Sequence, residues 1–562
     1  MLGYIQTAYE FGPFRVDTRE RQLMRDGAVI PLRPKVFDIL LMLVQNSGHI
    51  LTKDDVMKHV WSNTAVEEGN ISRTISTLRE ALGESPREHR YIETIPWRGY
   101  RFVANVREVA ITEPWKAIES IAVLPFVNVG GDLPAEYLVD GITDSLIMRL
   151  AQLPKLRVTS RNSVFRYKGH DVDAQSVGHE LKVQALLLGR LAQKDDLVSI
   201  SVELVDTADD RHIWGAQYLH GHDDLFATYD TIVGKIREKL RLDEQPTGTR
   251  HSKNHEAYVN YLKGRYYFNK LTPDGVEKAK EYLQQAIEQE PTYALAYAAL
   301  GDCHNYLAQR DEAKTAVLKA VELDETLGEA HASLGFFQFL YDWDFSGAER
   351  SFKLALQLNP NYAEAHHWYA IYLANLGRHV EAEREAMLAV DLDPLSLLMN
   401  MTAALNFYLA REHDKALKQL QKVVEMEPNF IAARSVRGNV LVQKALYEAA
   451  LGEFEKVLDL IKGVPAVEVS VKAIMAHAYG RSGKHFEALE LLAEVNDAGT
   501  VSPYSVAGVY AALGEVDSAF EWLNKAYDQH DLQLVSLKVD PSLDGLRTDV
   551  RFETLMTRVG IP

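Results

Sequence analysis

Prolines 360, 394 and 428 stand 34 residues apart, and Pro291 lies 69 residues before Pro360. A fixed period of this length commits half the chain to an array before any single element is considered. Ten residues past these sites, and past Glu325 in the vacant register, stand Gly301, Gly335, Ala370, Ala404 and Gly438. Twelve residues before the next site come Ala279, Ala313, Ala348, Ala382 and Ala416; five before it come Ala286, Ala320, Ala355 and Ala389. Small residues where helices cross, with proline where one unit ends, are what stacked helical hairpins require. Weaker copies around Ala476/Ala488 and Ala507/Ala519/Ala526 extend the pattern to seven or eight repeats over residues 255–531, followed by a tail.

The period and its small-residue register resemble the tetratricopeptide repeat. The resemblance implies a solenoid that binds a peptide or protein partner and catalyses nothing itself. The run "HHWYAIYL" (366–373) has two readings, a lining of the partner-binding face or filling of hairpin cores, and core filling is favoured. "DWDFSG" (342–347) starts like a calcium loop, but its twelfth position is Lys353 where a bidentate carboxylate is needed, so it reads as a turn between helices. Cys303, two residues after a small crossing position, reads as core.

At 562 residues the chain is too long for one core. A single cysteine excludes an internal disulfide framework and any multi-cysteine metal site, and suits a reducing compartment. There is no long uncharged apolar run to span a membrane and no secretory signal at the start, so a cytoplasmic protein is expected. The net charge of −18 is unevenly spread: residues 1–107 hold 15 Lys+Arg against 13 Asp+Glu, and the remainder carries the acidic surplus. An acidic body repels phosphate, which leaves the N-terminal part as the one plausible nucleic-acid surface.

That part is patterned as short strands over 9–32 with Asp26-Gly27 as a hairpin turn, and a helix within 33–51 closed by Gly48. A second helix within 52–61 opens on a Thr cap with acidic residues in its first turn. The loop "SNTAVEEG" and the helix "NISRTISTLREAL" follow, then two strands in 89–104 around a Gly-containing turn. "LTKDDVMKHVW", "ISRTISTLREALGE" and "YIETIPWRGYRF" resemble the OmpR/PhoB effector domain, a winged helix-turn-helix. The usual receiver domain is missing upstream, so control by phosphorylation is not expected.

On the third helix Ile71, Ile75, Leu78 and Leu82 form one stripe for the domain core, while Asn70, Arg73, Ser76, Thr77 and Glu80 point the other way. The family docks this helix in the major groove, which makes these residues and Thr74 the base-contact candidates. Arg73 suits guanine, Asn70 suits adenine or a phosphate, and Thr74 and Thr77 suit a thymine methyl or a phosphate. Arg79 lies to one side, where phosphate is the expected contact, and Glu80 weakens attraction to DNA. The resemblance further implies Arg98 at the wing tip for the minor groove and Arg33, Lys35, Lys53 and Arg101 for phosphates. It also implies an RNA polymerase-facing loop formed by Trp61, Ser62, Asn63, Thr64, Ala65 and Val66. Few contacts and little net positive charge imply weak binding by one copy, hence two copies, a homodimer on repeated half-sites.

Residues 108–117 read as a linker, and 118–245 as a small α/β domain. It has a buried strand from 118, an amphipathic helix leading to a strand within 135–160, and later strands joined by an Asp-Asp turn. "VLPFVN", "YLVDGITDSL" and "LVDTADDRHIWGAQY" resemble the TolB N-terminal type of domain. Asp140, Asp144 and Arg161 have two readings, a polar site or surface and capping roles, and the surface and capping roles are favoured. Phosphate-loop, zinc-protease and nucleophile-elbow patterns are missing, so no enzyme, cofactor or metal is expected.

The fold class is therefore multidomain α+β: a winged helix over 1–107, a central α/β domain over 118–245, and an all-α solenoid with a tail over 255–562. This order resembles the HilA-type, or soluble CadC-like, regulators. It implies a sequence-specific transcription regulator that binds double-stranded promoter DNA and takes a signal or protein partner on its repeats. The rival reading is an interaction scaffold or ligand sensor whose winged helix does not read DNA.

Overall fold

The computed structural model describes residues 7–18, 22–25, 28–60, 69–85, 88–110, 118–129, 136–153, 155–170, 172–194, 197–221, 225–240, 242, 254–268, 272–462, 464–499 and 501–562. The chain forms two compact units, residues 1–117 and 118–562.

In the first unit, β1 (Thr7–Phe11), β2 (Phe14–Asp17), β3 (Gln22–Arg25) and β4 (Ala28–Ile30) form an antiparallel meander. The Asp26-Gly27 turn expected between the last two lies outside the described residues. Helices α1 (Pro34–Gln45), α2 (Lys53–Val60) and α3 (Gly69–Leu82) follow, with β5 (Ile50–Thr52) before α2. The wing is the hairpin β6 (Ile92–Ile95) and β7 (Gly99–Phe102), and β8 (Arg107–Ala110) returns to pair with β1. The two sheets are ordered β4-β3-β2-β1-β8 and β5-β7-β6.

Local chemistry sets these boundaries. Pro34 opens α1 at its first position, where no backbone N–H is needed. Thr52 and Asp55 cap α2 reciprocally: the Asp55 N–H donates to Thr52 Oγ1 at 3.2 Å and the Thr52 N–H to Asp55 Oδ2 at 3.3 Å. Gly99 has φ +152°, and a Cβ there would stand 2.0 Å from the Leu51 carbonyl oxygen, so only glycine lets β7 close against β5. The core joins α1 (Phe37, Leu40, Val44) to Phe11, Tyr91 and Phe102, with the Phe11 and Phe102 rings edge-on at 4.9 Å.

The second unit begins with a sheet ordered β11-β9-β12-β13-β14, made of β9 (Ser120–Val123), β11 (Arg157–Val158), β12 (Ala185–Lys194), β13 (Leu197–Asp206) and β14 (Arg211–Gly221), with β10 (Val127–Asn128) also on β12. β9 pairs in parallel with β11 and β12, and the long β12-β13-β14 ribbon is antiparallel. The Asp195-Asp196 turn lies outside the described residues. Around the sheet run α4 (Glu136–Ala151), α5 (Arg161–Val164), α6 (Ala174–Leu181) and α7 (Leu225–Leu240).

The expected amphipathic helix is α4, but its polar residues are not exposed: every residue from Val139 to Ile147 is buried, Asp140, Thr143, Asp144 and Ser145 included. One side packs on the sheet, and the other meets the first solenoid helix, His255–Phe268. A Cβ on Gly141 would reach Leu262 Cδ1 at 2.1 Å, and Ser145 Oγ hydrogen-bonds the Tyr258 hydroxyl. This contact also corrects the surface and capping roles expected for Asp140, Asp144 and Arg161. Asp140 pairs with Lys168 at 2.6 Å, and Asp144 faces Arg161 at 3.5 Å, with both carboxylates buried.

Among the described residues sixteen helices then pair as eight hairpins, from His255–Phe268/Pro273–Gln289 to Pro503–Leu513/Val516–Asp528, and Val550–Val559 follows. The registered small residues are the crossing points: Ala279, Ala313, Ala348, Ala382 and Ala416 are fully buried. A Cβ on Gly438 would stand 2.2 Å from Phe454, so the period is a packing requirement. "HHWYAIYL" fills cores, since His366 pairs with Glu385 at 2.7 Å and burial pushes His367 down to about 4. "DWDFSG" is a helix start, with Asp344 accepting from the Gly347 N–H at 2.8 Å. Cys303 is buried.

The inter-repeat turns grip the α/β domain. Asn361 Nδ2 donates to the carbonyls of Ala151 (2.7 Å) and Leu156 (2.9 Å), capping the end of α4. Asp393, fully buried, accepts from Ser160 Oγ at 3.0 Å and from Ser163 Oγ, and burial raises its carboxyl to about 6. Arg157 donates to the Asp391 carbonyl at 2.6 Å.

Candidate nucleic-acid interface

Helix α3 is amphipathic in the expected register. Ile71, Ile75, Leu78 and Leu82 are at most 2% exposed and pack on the core with α1. Asn70, Ser72, Arg73, Ser76, Thr77 and Glu80 are exposed, and Thr74 is half-buried at the edge. The hydroxyls on this face are turned back on the helix: Thr74 donates to the Asn70 carbonyl at 2.8 Å, Ser76 to Ser72 at 3.0 Å, and Thr77 to Arg73 at 3.2 Å. With the hydroxyl proton donated inward, these side chains offer methyls and acceptor lone pairs outward. Asn70 and Arg73 are then the candidates with side-chain N–H donors, in the geometry that suits a purine edge.

Arg79 is placed differently from the phosphate contact expected of it. It is 8% exposed, and its Nη2 donates to the Ile92 carbonyl and to Thr94 Oγ1, both at 2.9 Å. The wing strand β6 crosses back over the end of α3, and Arg79 is spent on holding it. Glu84, which the sequence reading passed over, completes the lock: its buried carboxylate accepts the N–H groups of Tyr91 at 3.0 Å and Ile92 at 3.1 Å. Ser72 adds a contact to the Tyr100 hydroxyl at 3.3 Å. Recognition helix and wing are one rigid piece. Replacing Arg79 with Met is therefore expected to cost stability, on the order of 1–3 kcal/mol for the orphaned Ile92 carbonyl. The salt dependence of DNA binding should stay unchanged. A shallower salt slope with unaltered stability would restore the phosphate role.

At the wing tip Arg98 is exposed, its N–H closing the turn onto the Ile95 carbonyl at 3.1 Å. Beside it Trp97 is fully exposed with φ +65°, a left-handed conformation unfavourable for a bulky residue. The sequence motif contained Trp97, but only the turn geometry shows the indole projecting from the tip. Arg33 is exposed at the start of α1, Lys35 is exposed with its ammonium on the Val60 carbonyl, and Lys53 is half-buried. Arg101 pairs with Glu93, Nε to Oε2 at 2.9 Å, which offsets its charge. The loop Trp61–Val66 lies outside the described residues.

Residues 27–102 match the family model described as "Transcriptional regulatory protein, C terminal". Residues 117–232 match "HilA/YgeH-like transcriptional regulator, second domain", and residues 294–327 and 351–384 match tetratricopeptide repeats. Over 552 residues the chain is 24% identical to the transcriptional regulator HilA of Salmonella typhimurium, covering 93% of this chain and 95% of that protein. The chain is a DNA-binding transcriptional regulator, similar to HilA over nearly its whole length. Its three parts are an OmpR/PhoB-type DNA-binding domain, a HilA-like second domain and a repeat solenoid. The regulator is also 30% identical over 102 residues to the transcriptional activator CadC of Escherichia coli, 18% of this chain and 20% of that one. It is 34% identical over 186 residues to putative adenylate cyclase 3 of Rhizobium meliloti, 32% of each. Among the described residues no helix is long and apolar enough to cross a membrane.

Proposed function

We propose that this regulator reads promoter bases with Asn70, Arg73, Thr74, Ser76 and Thr77, and that Arg33, Lys35, Lys53, Arg98 and Arg101 hold the flanking backbone and minor groove. The observation that carries this reading is the division of α3 into a fully buried stripe and an exposed face bearing Asn70 and Arg73. A helix presented this way, beside a wing tip bearing Trp97 and Arg98, suits a major groove with the adjacent minor groove. Glu80 on the same face and the neutralised Arg101 keep the affinity of one copy low, so two copies on repeated half-sites are part of the proposal.

The reading extends to the rest of the chain. The loop Trp61–Val66 meets RNA polymerase, the repeat array receives a protein partner, and the chain acts in the cytoplasm by binding, with no catalytic step. The test is genome-wide mapping of bound sites, followed by affinity of the full chain for a recovered site as salt is raised. With about four phosphate contacts per copy, log affinity should fall against log salt with a slope of roughly −4 per copy. Binding that ignores salt and sequence would leave the solenoid as an interaction scaffold, the rival that the large repeat surface supports.

A further inference from the structure

The inner helices of five successive hairpins face a cavity of about 370 Å³, closed across by the turns Leu532–Ser536 and Pro541–Leu546 of the C-terminal segment. Its lining is unlike the charged seam between the α/β domain and the first repeats. Among the lining residues there is no Lys or Arg and a single carboxylate, Asp540. That carboxylate is already engaged, accepting from the Tyr504 hydroxyl at 3.1 Å and the Ser542 N–H at 2.8 Å. The remaining polar groups are hydroxyls and amides, with His477 among them. Burial and the nearby Arg481 push the His477 imidazole down to about 4, which leaves it uncharged at neutral pH.

Asn375, another of the lining residues, is 4% exposed, and its Nδ2 donates to the Ile371 carbonyl at 2.8 Å. The exposed Gln533 at the cavity's edge marks where solvent reaches it.

We infer that this cavity binds an uncharged, hydroxyl-rich small molecule of sugar size, held by the hydroxyls and amides of its lining. No Lys or Arg lines the cavity to hold an anion, and a cation finds one carboxylate that is already shared. A fully apolar ligand strands the amides and hydroxyls, at a cost that apolar contact does not recover. The volume lies within the range of small-molecule sites, roughly 300–1,000 Å³. The Tyr408 and Tyr504 rings supply the apolar faces that ring hydrogens of a sugar pack against. Occupation ties the inner helices to the C-terminal turns, which gives the regulator a place for a chemical signal distinct from its DNA-reading face.

The test uses the full chain with D-glucose, maltose and myo-inositol at millimolar concentration, and glucose 6-phosphate as the anionic counterpart. At least one neutral probe is expected to raise the melting temperature and to bind saturably by calorimetry, and the phosphorylated sugar is expected to do neither. Gly508→Leu should weaken that binding about tenfold or more. Gly508 lines the cavity, and a Cβ there meets Ser542 Oγ at 3.5 Å, an ordinary contact, so the larger side chain takes up ligand space. The inference is overturned if no neutral probe binds, if glucose 6-phosphate binds equally, or if affinity is unchanged in Gly508→Leu.

Discussion

Arg73→Ala is expected to weaken binding to a cognate promoter site by roughly tenfold to a hundredfold, the ~1–3 kcal/mol of one bidentate guanine contact. Arg73 stands exposed on the outward face of α3, apart from the buried stripe of Ile71, Ile75 and Leu78. Truncation should therefore change stability no more than ordinary surface substitutions do, about ±0.5 kcal/mol. Arg73→Lys separates charge from geometry. It keeps the cation and hence the salt slope, but it loses the planar fork, and discrimination between guanine and adenine at one position should relax. Measured by fluorescence anisotropy on matched and single-mismatch duplexes, Ala should reduce both affinity and discrimination, and Lys mainly discrimination. Equal affinity of all three proteins on the matched site removes Arg73 from the base contacts.

The difference between Arg73 and Arg79 shows where a sequence stops being legible. Both lie on one helix six residues apart, and periodicity alone assigns the buried stripe correctly because a helix repeats its own geometry. The fate of Arg79 depends on β6, thirteen residues further on, folding back so that the Ile92 carbonyl comes within reach. No local pattern encodes that return, and the same holds for Glu84. The repeat array was legible for the opposite reason: the crossing positions recur, and each small residue answers a neighbour in the next helix. The contact between α/β domain and solenoid left no trace in the pattern. It is built from single polar residues, Ser160, Ser163, Asn361 and Asp393, in turns where nothing repeats. For α4 the consequence was a wrong kind of helix, because its second buried side is covered by a partner more than a hundred residues away. Helix α7 escaped the reading altogether, lying beyond the last strand on which the motifs ended.

The second large effect expected is on stability, at Asp302. This carboxyl lies in the helix Ala294–Tyr306, where burial raises it from the usual carboxylate range to about 7. Ser333 Oγ donates to it, and Arg265 opposes the rise, while Glu329 and Glu364 add to it. Burial raises Glu329 and Glu364 as well. In the unfolded chain Asp302 titrates near ~3.9. Between that value and about 7 the folded protein holds a proton that the unfolded chain has released. Its contribution is fully present below pH ~4 and is lost as the pH rises through 7, so the second unit should weaken on going from acid to mildly alkaline solution. Asp302→Asn keeps the carbonyl oxygen that Ser333 needs and removes the charge. At pH 8 the variant is expected to be the more stable protein, by on the order of 2–4 kcal/mol, converging with wild type near pH 4. The slope flattens without vanishing, because Glu329 and Glu364 still titrate in the same seam. Urea denaturation at a series of pH values decides the point: a constant difference between the two proteins from pH 4 to pH 8 means that Asp302 is not the buried acid whose ionisation strains this seam.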